Sequence, residues 1–466
     1  MITKFIKRIL RRDPMDRHVQ TSHSGAPKRI SKKAHRIDPH LLSKNAVKVT
    51  DTLQQAGYEA FIVGGAVRDL ALGISPKDFD VATNATPEQV QKLFRKARLI
   101  GRRFQIVHVT FFGKGAPEII EVSTFRALLE NAGEHVAENG RILRDNVWGS
   151  QHEDAARRDF SINAMYYDPS SETVLDYHGG MVDMQKKVLR MIGDPAKRYR
   201  EDPIRMLRAI RFAAKTGFNL DLATSAPIAK LSKLIHDVPS ARLFDEILKL
   251  LMSGYSWAAI QGLRNAGLHH GLLPLLDHIL DNDPDSKEAN EFVRVALENT
   301  DQRIRSGKSV SAGFLFATLL WPDLLINWKR NIAKGMANIA ALHDAMDETI
   351  ATQSSGMVIQ RRFESDMREI WAMQPRFERR VGRYPFRLIE SPRFRAGYDF
   401  MLLRCTTGEQ NSDLGEWWTS FIAADSVGQE ALMASAKNNT GNPNSPTKKR
   451  RRRKVKSTAP IEDTPN

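Results

Sequence analysis

Cysteine and long apolar runs are what this sequence of 466 residues lacks. Its single cysteine, Cys405, cannot form an internal disulfide or supply a cysteine-based zinc site, and it suits a reducing cytoplasm. No apolar run approaches the roughly 20 residues of a membrane-spanning helix. The first residues also lack the continuous apolar core of a secretory signal. These absences predict a cytoplasmic protein without a transmembrane segment, and 41% hydrophobic residues predict a globular core.

Acidic residues are scarce at both ends of the chain, whose formal net charge is +16. Residues 1–37 carry 11 Lys and Arg against two Asp, and residues 448–466 carry eight against two acids. The remainder is close to neutral. Such arms bind polyanions through counterion release, which predicts a nucleic-acid partner. Two alternatives stay open: a tail that only aids solubility, and an N-terminal basic segment that contacts a membrane surface peripherally.

Two carboxylates, Asp78 and Asp80, stand one residue apart in an apolar run. Side chains alternate across a β-strand, so both carboxylates are expected on the same face. Two ionised carboxylates this close repel each other unless a cation lies between them. Mg²⁺ and Mn²⁺ prefer such oxygen ligands. The pair therefore predicts a divalent metal site that serves phosphoryl or nucleotidyl transfer, for which a third acid is expected at Glu121 or Asp159.

A glycine pair precedes these carboxylates and predicts a phosphate-binding turn. Gly64 and Gly65 follow a strand and open a helix, where bare backbone N–H groups can face an anion. Arg68 lies three residues into that helix, from which a guanidinium can reach a phosphate bidentately. Arg157 and Arg158 can neutralise a triphosphate as well, or they are ordinary surface charges.

A third motif, Glu201-Asp202-Pro-Ile-Arg205, opens a helix that continues through Arg208. One interpretation is a salt bridge at the helix start between Asp202 and Arg205. The other is a nucleobase reader, because an acceptor beside a forked donor matches the edge of one base.

The hydrophobic pattern predicts a small α/β unit that closes near residue 125, and mostly helices after residue 202. A polar stretch, 126–152, lies between them and is expected to be a flexible loop that orders as a lid. Arginines alternate with aromatic residues over 360–404, either as a clamp for single-stranded RNA or as a cationic rim on a core. The expected strands are Tyr58–Val63, Phe79–Ala82, Ala97–Ile100, Gln105–Phe112, Ile119–Phe125 and Ala164–Tyr167, and the expected helices are 38–57, Gly65–Leu72 and Pro87–Phe94.

The sequence resembles the class II tRNA nucleotidyltransferase/poly(A) polymerase family over roughly residues 40–270. The resemblance lies in four motifs and their order: Gly-Gly-x-x-Arg-Asp, Asp-x-Asp, Arg-Arg-Asp and Glu-Asp-x-x-Arg. The resemblance implies an α+β protein: a small N-terminal nucleotidyltransferase head, then all-helical neck, body and C-terminal regions. It implies Mg²⁺ or Mn²⁺ as cofactor and ATP as substrate. Its site residues would be Asp78 and Asp80 on the metal, Asp159 in support of that site, Gly64, Gly65, Arg68 and Arg158 on the triphosphate, and Asp202 and Arg205 on the base.

Within this family, two activities must be separated. The segment Leu99–Val109 resembles a short motif of bacterial poly(A) polymerases, and Arg376–Arg404 resembles their carboxy-terminal region. The expected function is therefore template-independent addition of AMP from ATP to RNA 3′ ends, with release of pyrophosphate, in mRNA polyadenylation and RNA turnover. The alternatives are a CCA-adding tRNA nucleotidyltransferase and, in another class, a non-catalytic RNA-binding scaffold. RNA-degradation and RNA-chaperone proteins are expected as further partners.

The predicted domain organisation has five parts. It begins and ends with basic arms that are expected to be disordered. The parts are the arm 1–37, the head 38–167, a helical neck that binds RNA and nucleotide at 168–270, a helical body and C-terminal RNA-binding domain at 271–430, and the tail 431–466.

Overall fold

A mixed eight-stranded sheet forms the N-terminal part of the protein. The computed structural model describes residues 25–101, 105–113, 116–128, 147–270, 272 and 287–439. The strand order is β1-β8-β7-β2-β3-β6-β5-β4, and only the β3–β6 pairing is parallel among the pairs of this sheet. The strands are β1 (Lys28–Ile30), β2 (Ala60–Val63), β3 (Asp80–Thr83), β4 (Ala97–Ile100), β5 (Ile106–Phe111), β6 (Glu118–Thr124), β7 (Met165–Asp168) and β8 (Thr173–Asp176).

Register in the centre of this sheet fixes the position of the carboxylates. Asp80 pairs with Val63 of β2 on one side and with Glu121 of β6 on the other. The residues that follow them, Val81 and Val122, are buried and hold the strands against the core. Because alternate residues face opposite sides of a sheet, burial of the two valines directs both acids to the other face.

Helices surround this sheet and continue the first unit of the chain, which comprises residues 1–315 and 347–360. Their ends follow capping chemistry: Ser43 caps the helix Lys44–Gln55, and Thr86 with Gln89 forms a capping box on the helix Pro87–Leu93. A short parallel pair joins β9 (Val188–Leu189) to β10 (Asn219–Leu220). The helices are α1 (Lys32–His35), α2 (Lys44–Gln55), α3 (Gly65–Ala71), α4 (Pro87–Leu93), α5 (Gln151–Arg157), α6 (Gly180–Lys186), α7 (Pro195–Glu201), α8 (Ile204–Thr216), α9 (Leu222–Ser225), α10 (Ile228–Leu231), α11 (Ser240–Leu251), α12 (Ser256–Asn265) and α13 (Lys287–Arg305).

The second unit, residues 316–346 and 361–466, is helical over its described residues. Its core is an aromatic cluster in which Phe377, Phe394, Trp418 and Phe421 pack against one another. The arginines that alternate with these aromatic residues are mostly exposed. The stretch 360–404 is thus a cationic surface over an aromatic core. The remaining helices of the chain are α14 (Ala312–Leu319), α15 (Trp321–Ala333), α16 (Asn338–Gly356), α17 (Arg361–Phe377), α18 (Tyr384–Ile389), α19 (Phe394–Thr406), α20 (Ser412–Ala423) and α21 (Ser426–Asn439).

The structure corrects several predicted boundaries. Within the arm predicted at 1–37, residues 28–30 form β1, which pairs with β8, and Ile37 is buried. The head sheet continues past residue 167 to the end of β8, and the last helix continues to Asn439. The helix expected over 38–57 begins only at Lys44, because Ser43 is its cap.

Parts of several other predictions lie outside the described residues. These parts are residues 129–146 of the loop at 126–152, residues 1–24 of the N-terminal arm and residues 440–466 of the tail. Among the helices that the structure describes, none is both long and apolar enough to span a membrane.

Candidate active site

The turn between β2 and α3 brings backbone close to two charged side chains. Gly64 has φ +73°, a left-handed conformation that strongly favours glycine. A Cβ at this position would lie 3.4 Å from Arg158 Nη1 and 3.7 Å from Asp80 Oδ2. Gly65, the first residue of α3, lies similarly close to the Arg68 guanidinium. Both glycines therefore allow charged groups to converge on the backbone.

Three carboxylates, Asp78, Asp80 and Glu121, form an acidic cluster at this turn. Burial, the charge of Glu121 and the charge of Asp78 raise the pKa of Asp80 from 3.8 to about 6, although Arg158 opposes them. Each acid thus makes ionisation of Asp80 more costly, which is the electrostatic property of a cation site. Glu121 also lies 3.4 Å from His108 Nε2 on β5.

A divalent ion fits this donor set. No group of three or more His, Cys, Asp or Glu side chains with metal-binding geometry occurs among the described residues. Mg²⁺ commonly binds through one or two carboxylates together with substrate phosphates, rather than in a cage made by the protein alone. Asp78 and Asp80 match that requirement, and the neighbouring Glu121 adds negative charge.

Asp159 lies in the same cavity but is held by a cation of the protein. Its carboxylate accepts from Arg208 Nε at 2.8 Å and lies 2.6 Å from Arg208 Nη2. It also accepts from the Phe160 backbone N–H and from the Asn163 amide. Burial alone would raise the pKa of Asp159, but Arg208 and these donors lower it to about 2. Its support of the metal site therefore stays a prediction, and its observed contacts orient Arg208.

Arg68 is buried, and its donors point to protein acceptors. Its Nε donates to Asp69 at 2.8 Å and its Nη1 donates to Asn163 at 2.7 Å. Asp69 in turn accepts from Lys215 of α8 at 3.0 Å. Binding of a phosphate by Arg68, as expected from the sequence, would therefore compete with its bond to Asp69. The bond between Lys215 and Asp69 connects α8 to α3.

Arg158 forms a second buried network at the turn. Its Nη2 lies 3.1 Å from Asp154 Oδ2, and its Nε donates to the Tyr166 hydroxyl at 3.2 Å. Tyr166 donates to the same Asp154 oxygen at 2.6 Å. The guanidinium is consequently fixed at the edge of the glycine turn, with Nη1 directed toward Gly64.

The Glu-Asp-x-x-Arg motif is arranged differently from a simple salt bridge at a helix start. Asp202, between α7 and α8, accepts from Arg242 Nη2 of α11 at 3.0 Å and 3.2 Å. Arg205 donates to Glu201 and to the Arg198 carbonyl, each at 3.0 Å. The prediction of an Asp202–Arg205 salt bridge is therefore wrong. Each partner is instead held by another residue.

These groups line two adjoining cavities, of about 600 Å³ and 980 Å³. All nine predicted site residues line the larger cavity, whereas Glu121 and Ser123 line the smaller one. Lys and Arg outnumber Asp and Glu by eleven to seven in the larger cavity, which suits a polyphosphate. Six residues border both cavities: Asp80, Arg157, Arg158, Asp202, Arg205 and Arg242.

The sequence did not indicate that α11 supplies Arg242 to the site, or that cations along one face of α8 line the cavity. Lys215, like the Arg208 already discussed, lies on the face of α8 that is opposite the buried Leu207 and Ile210. Arg205, Arg208, Arg211 and Lys215 follow one another at spacings of three or four residues, which would have indicated one helix face. No local pattern indicates Arg242, because it reaches Asp202 from 40 residues away.

The fold and this site define a nucleotidyltransferase. Three family models match the chain: "Poly A polymerase head domain" over 60–190, "Probable RNA and SrmB- binding site of polymerase A" over 217–280, and "Polymerase A arginine-rich C-terminus" over 334–457. The poly(A) polymerase I of Salmonella typhimurium is 43% identical over 441 residues, 92% of each chain. That of Escherichia coli O157:H7 is 44% identical over 87% of this chain and 88% of its own. The chain belongs to the poly(A) polymerase I family.

More distant relatives share the fold. A CCA-adding enzyme of Bacillus pumilus is 38% identical over 49% of this chain and 54% of its own length. The solved structure of the Bacillus stearothermophilus CCA-adding enzyme in complex with CTP is 23% identical, with a TM-score of 0.53 over 86% of this chain and 92% of that one. The predicted α+β class, with a nucleotidyltransferase head before a helical region, is confirmed.

Proposed function

We propose that this enzyme transfers AMP from ATP to the 3′-hydroxyl of RNA without a template and releases pyrophosphate. The observation that carries the proposal is the convergence of Gly64, Asp78, Asp80, Arg158 and Asp202 on one cavity, in a chain of this family. Nucleotidyl transfer requires that a triphosphate, a hydroxyl and a base-binding surface meet at one point. The two adjoining cavities provide room on both sides of Asp80.

Asp78 and Asp80 would hold Mg²⁺ or Mn²⁺. The ion, when bound, would promote loss of the hydroxyl proton and neutralise the triphosphate. The 3′-oxygen then forms a bond to the α-phosphorus while the bond between that phosphorus and the bridging oxygen of pyrophosphate breaks. Between the two acids considered for the third position, the cross-strand pairing of Glu121 with Asp80 favours Glu121. Asp159 would act through Arg208.

The glycine turn and Arg158 would bind the triphosphate. Gly64 keeps the backbone free of a Cβ on the side of Arg158 and Asp80, so that phosphate oxygens can approach the backbone closely. Arg158 is held by Asp154 and Tyr166, which reduces the entropy lost on binding. Arg68 would position the turn, because it lies against Gly65 and its donors are directed to Asp69 and Asn163.

Asp202 and Arg205 would select the base. Asp202 is an acceptor and Arg205 is a donor, as the exocyclic amine and ring nitrogen of adenine require. Arg242 fixes the orientation of the Asp202 carboxylate, and Glu201 fixes Arg205. The base-binding pair is thus held in place by flanking ion pairs.

Nucleotide incorporation on two RNAs tests this proposal. A generic RNA oligonucleotide and a tRNA that lacks its CCA end are each incubated with ATP, CTP or both. We expect long A tails on the generic RNA with ATP alone. Addition that stops at three nucleotides and requires CTP would instead establish the CCA-adding alternative.

Substitution of Asp78 separates the enzyme from a binding scaffold. Asp78→Ala should abolish A-addition in a purified preparation, whereas Asp344→Ala, which removes an exposed carboxylate that does not line the cavity, should leave it unchanged. Full activity of Asp78→Ala would contradict the proposed site.

The cellular location and the protein partners are proposed separately from the reaction. We propose a cytoplasmic enzyme that acts with RNA-degradation and RNA-chaperone proteins, and affinity capture with and without ribonuclease tests those partners. The peripheral membrane contact of the N-terminal basic segment stays a prediction, and vesicle flotation of the full chain against a chain without residues 1–24 tests it.

A further inference from the structure

The larger cavity extends beyond the groups that ATP would use. Its outer end is lined by Lys249 of α11, by Tyr255 at the start of α12 and by Arg305 at the end of α13. At about 980 Å³, the cavity is at the upper end of the range of roughly 300–1,000 Å³ that encloses one drug-sized ligand. None of these three residues is among the nine predicted to bind the metal ion or ATP.

The outer end is held in a fixed arrangement. The Arg305 guanidinium lies 5.5 Å from the centre of the Tyr255 ring and donates to the Gly254 carbonyl at 2.6 Å. Gly254 has φ +81°, and a Cβ there would lie 3.3 Å from Ile304 Cγ2. Asp301 of α13 accepts from the backbone N–H of Ser256 at 2.8 Å. The tyrosine and the arginine are therefore placed together by the packing of α13 on the start of α12.

Along α11, the outer end lies away from the residues that hold Asp202. Arg242, which holds Asp202, and Lys249 lie seven residues apart on α11 and line the same cavity. At 1.5 Å per residue, the helix rises about 10 Å between them. Lys249 and Arg305 are exposed, whereas Tyr255 is partly buried. Lys249, Tyr255 and Arg305 thus add a cationic and aromatic surface to the cavity that Asp202 and Arg205 also line.

We propose that Lys249, Tyr255 and Arg305 bind the single-stranded 3′ segment of the RNA primer, upstream of its reacting nucleotide. Aromatic rings flanked by cations bind unpaired bases by stacking and phosphates by charge, without sequence preference. A primer that grows by repeated addition needs such tolerance, because its upstream bases change from the original sequence to A. This inference rests on the proposed function and specifies where its RNA substrate lies.

The test uses the full-length enzyme with Lys249→Glu and Tyr255→Leu combined. Lys230→Glu is the matched control, because Lys230 is exposed on α10 and lines neither cavity. Arg305 is left in place, since its bond to Gly254 holds the turn. Equal thermal midpoints would establish that the double variant folds.

We expect the double variant to raise KM for a 20-nucleotide RNA about tenfold, with KM for ATP within about twofold of wild type. With a dinucleotide primer, which is too short to reach the outer end, it should match wild type. Equal defects on both primers would overturn the proposal. A raised KM for ATP alone would also overturn it, because the outer end would then hold the triphosphate or pyrophosphate.

Equilibrium binding separates this proposal from the proposed function. Fluorescence anisotropy with the 20-nucleotide RNA requires no nucleotide transfer. Weaker RNA binding by the double variant would support the site even if wild type failed to add A from ATP. Unchanged RNA binding beside normal A-addition would refute the site alone.

Discussion

Replacement of Asp80 by asparagine should make the metal-free protein more stable while it abolishes activity. Burial and the charges of Glu121 and Asp78 raise the pKa of Asp80 from 3.8 to about 6. A folded-state pKa above the unfolded value means that the protonated carboxyl favours folding. The corresponding stability is fully present below about pH 4 and is lost as the pH rises through 6. An asparagine side chain carries no charge at any of these pH values, so the variant avoids that loss.

The magnitude follows from the pKa shift. A rise from 3.8 to about 6 corresponds to about 3 kcal/mol, since each unit is about 1.36 kcal/mol. Because the side chain is partly exposed, solvent screening lowers the expected gain to about 1–2 kcal/mol at pH 8. For a unit of this size, that gain raises the Tm by about 1–3 °C.

Thermal unfolding of EDTA-treated wild type, Asp80→Asn and Asp344→Asn at pH 8 and pH 4 measures this effect. The Asp80 variant should be more stable than wild type at pH 8, equal to it at pH 4, and insensitive to added Mn²⁺ with ATP. Wild type should gain stability from those ligands. A loss of stability in Asp80→Asn at pH 8 would refute the reasoning, because the charge of Asp80 would then not be costly in the folded state.

Three further substitutions and one deletion test other parts of the structure. Asp159→Asn should destabilise the protein by about 3 kcal/mol and leave Mn²⁺ binding intact, and Arg208→Gln should have the same phenotype. Loss of Mn²⁺ binding in Asp159→Asn would instead make Asp159 a metal ligand. Gly149→Ala should lower the Tm by several degrees, because its Cβ would lie 2.5 Å from Ala127 Cα; an unchanged melting curve would contradict that contact. Deletion of 448–466 should weaken RNA binding at low salt and flatten its salt dependence, whereas an unchanged slope would make the tail a solubility device.

Hydrophobic alternation was sufficient to predict β4, β5 and β6 but not the edge strand β1. β4 has the predicted bounds, and β5 and β6 were predicted to within one residue at each end, because their apolar residues alternate in the sequence. β1 has the sequence Lys-Arg-Ile and shows no alternation, and it exists because β8 offers an edge to pair with. Such pairing between strands more than 140 residues apart is a tertiary property, and neither local propensity nor periodicity reports it.

The structure places the nine predicted site residues together, while their roles stay predictions and their contacts differ from those expected. All nine predicted residues line one cavity, since each belongs to a motif whose chemistry requires a shared ligand. Their pairings depend on elements that are distant in sequence. Asp202 is bound by Arg242 rather than Arg205 because α11 packs beside α8, and no spacing within the motif indicates that packing.

Glu121 and Asp159 are the two candidates for the third carboxylate of the metal site, and strand register and burial distinguish them. Glu121 and Asp159 are equal as acids in the sequence, yet register places Glu121 beside Asp80, while Arg208 takes up the charge of Asp159. The two acids have opposite electrostatic consequences. Glu121 raises the pKa of a neighbouring carboxyl and so strengthens the demand for an external cation, whereas Asp159 is already neutralised by a cation of the protein. A divalent ion gains most free energy where the protein leaves negative charge uncompensated. We therefore propose that the ion binds beside the strand pair β3–β6, where Glu121 pairs with Asp80.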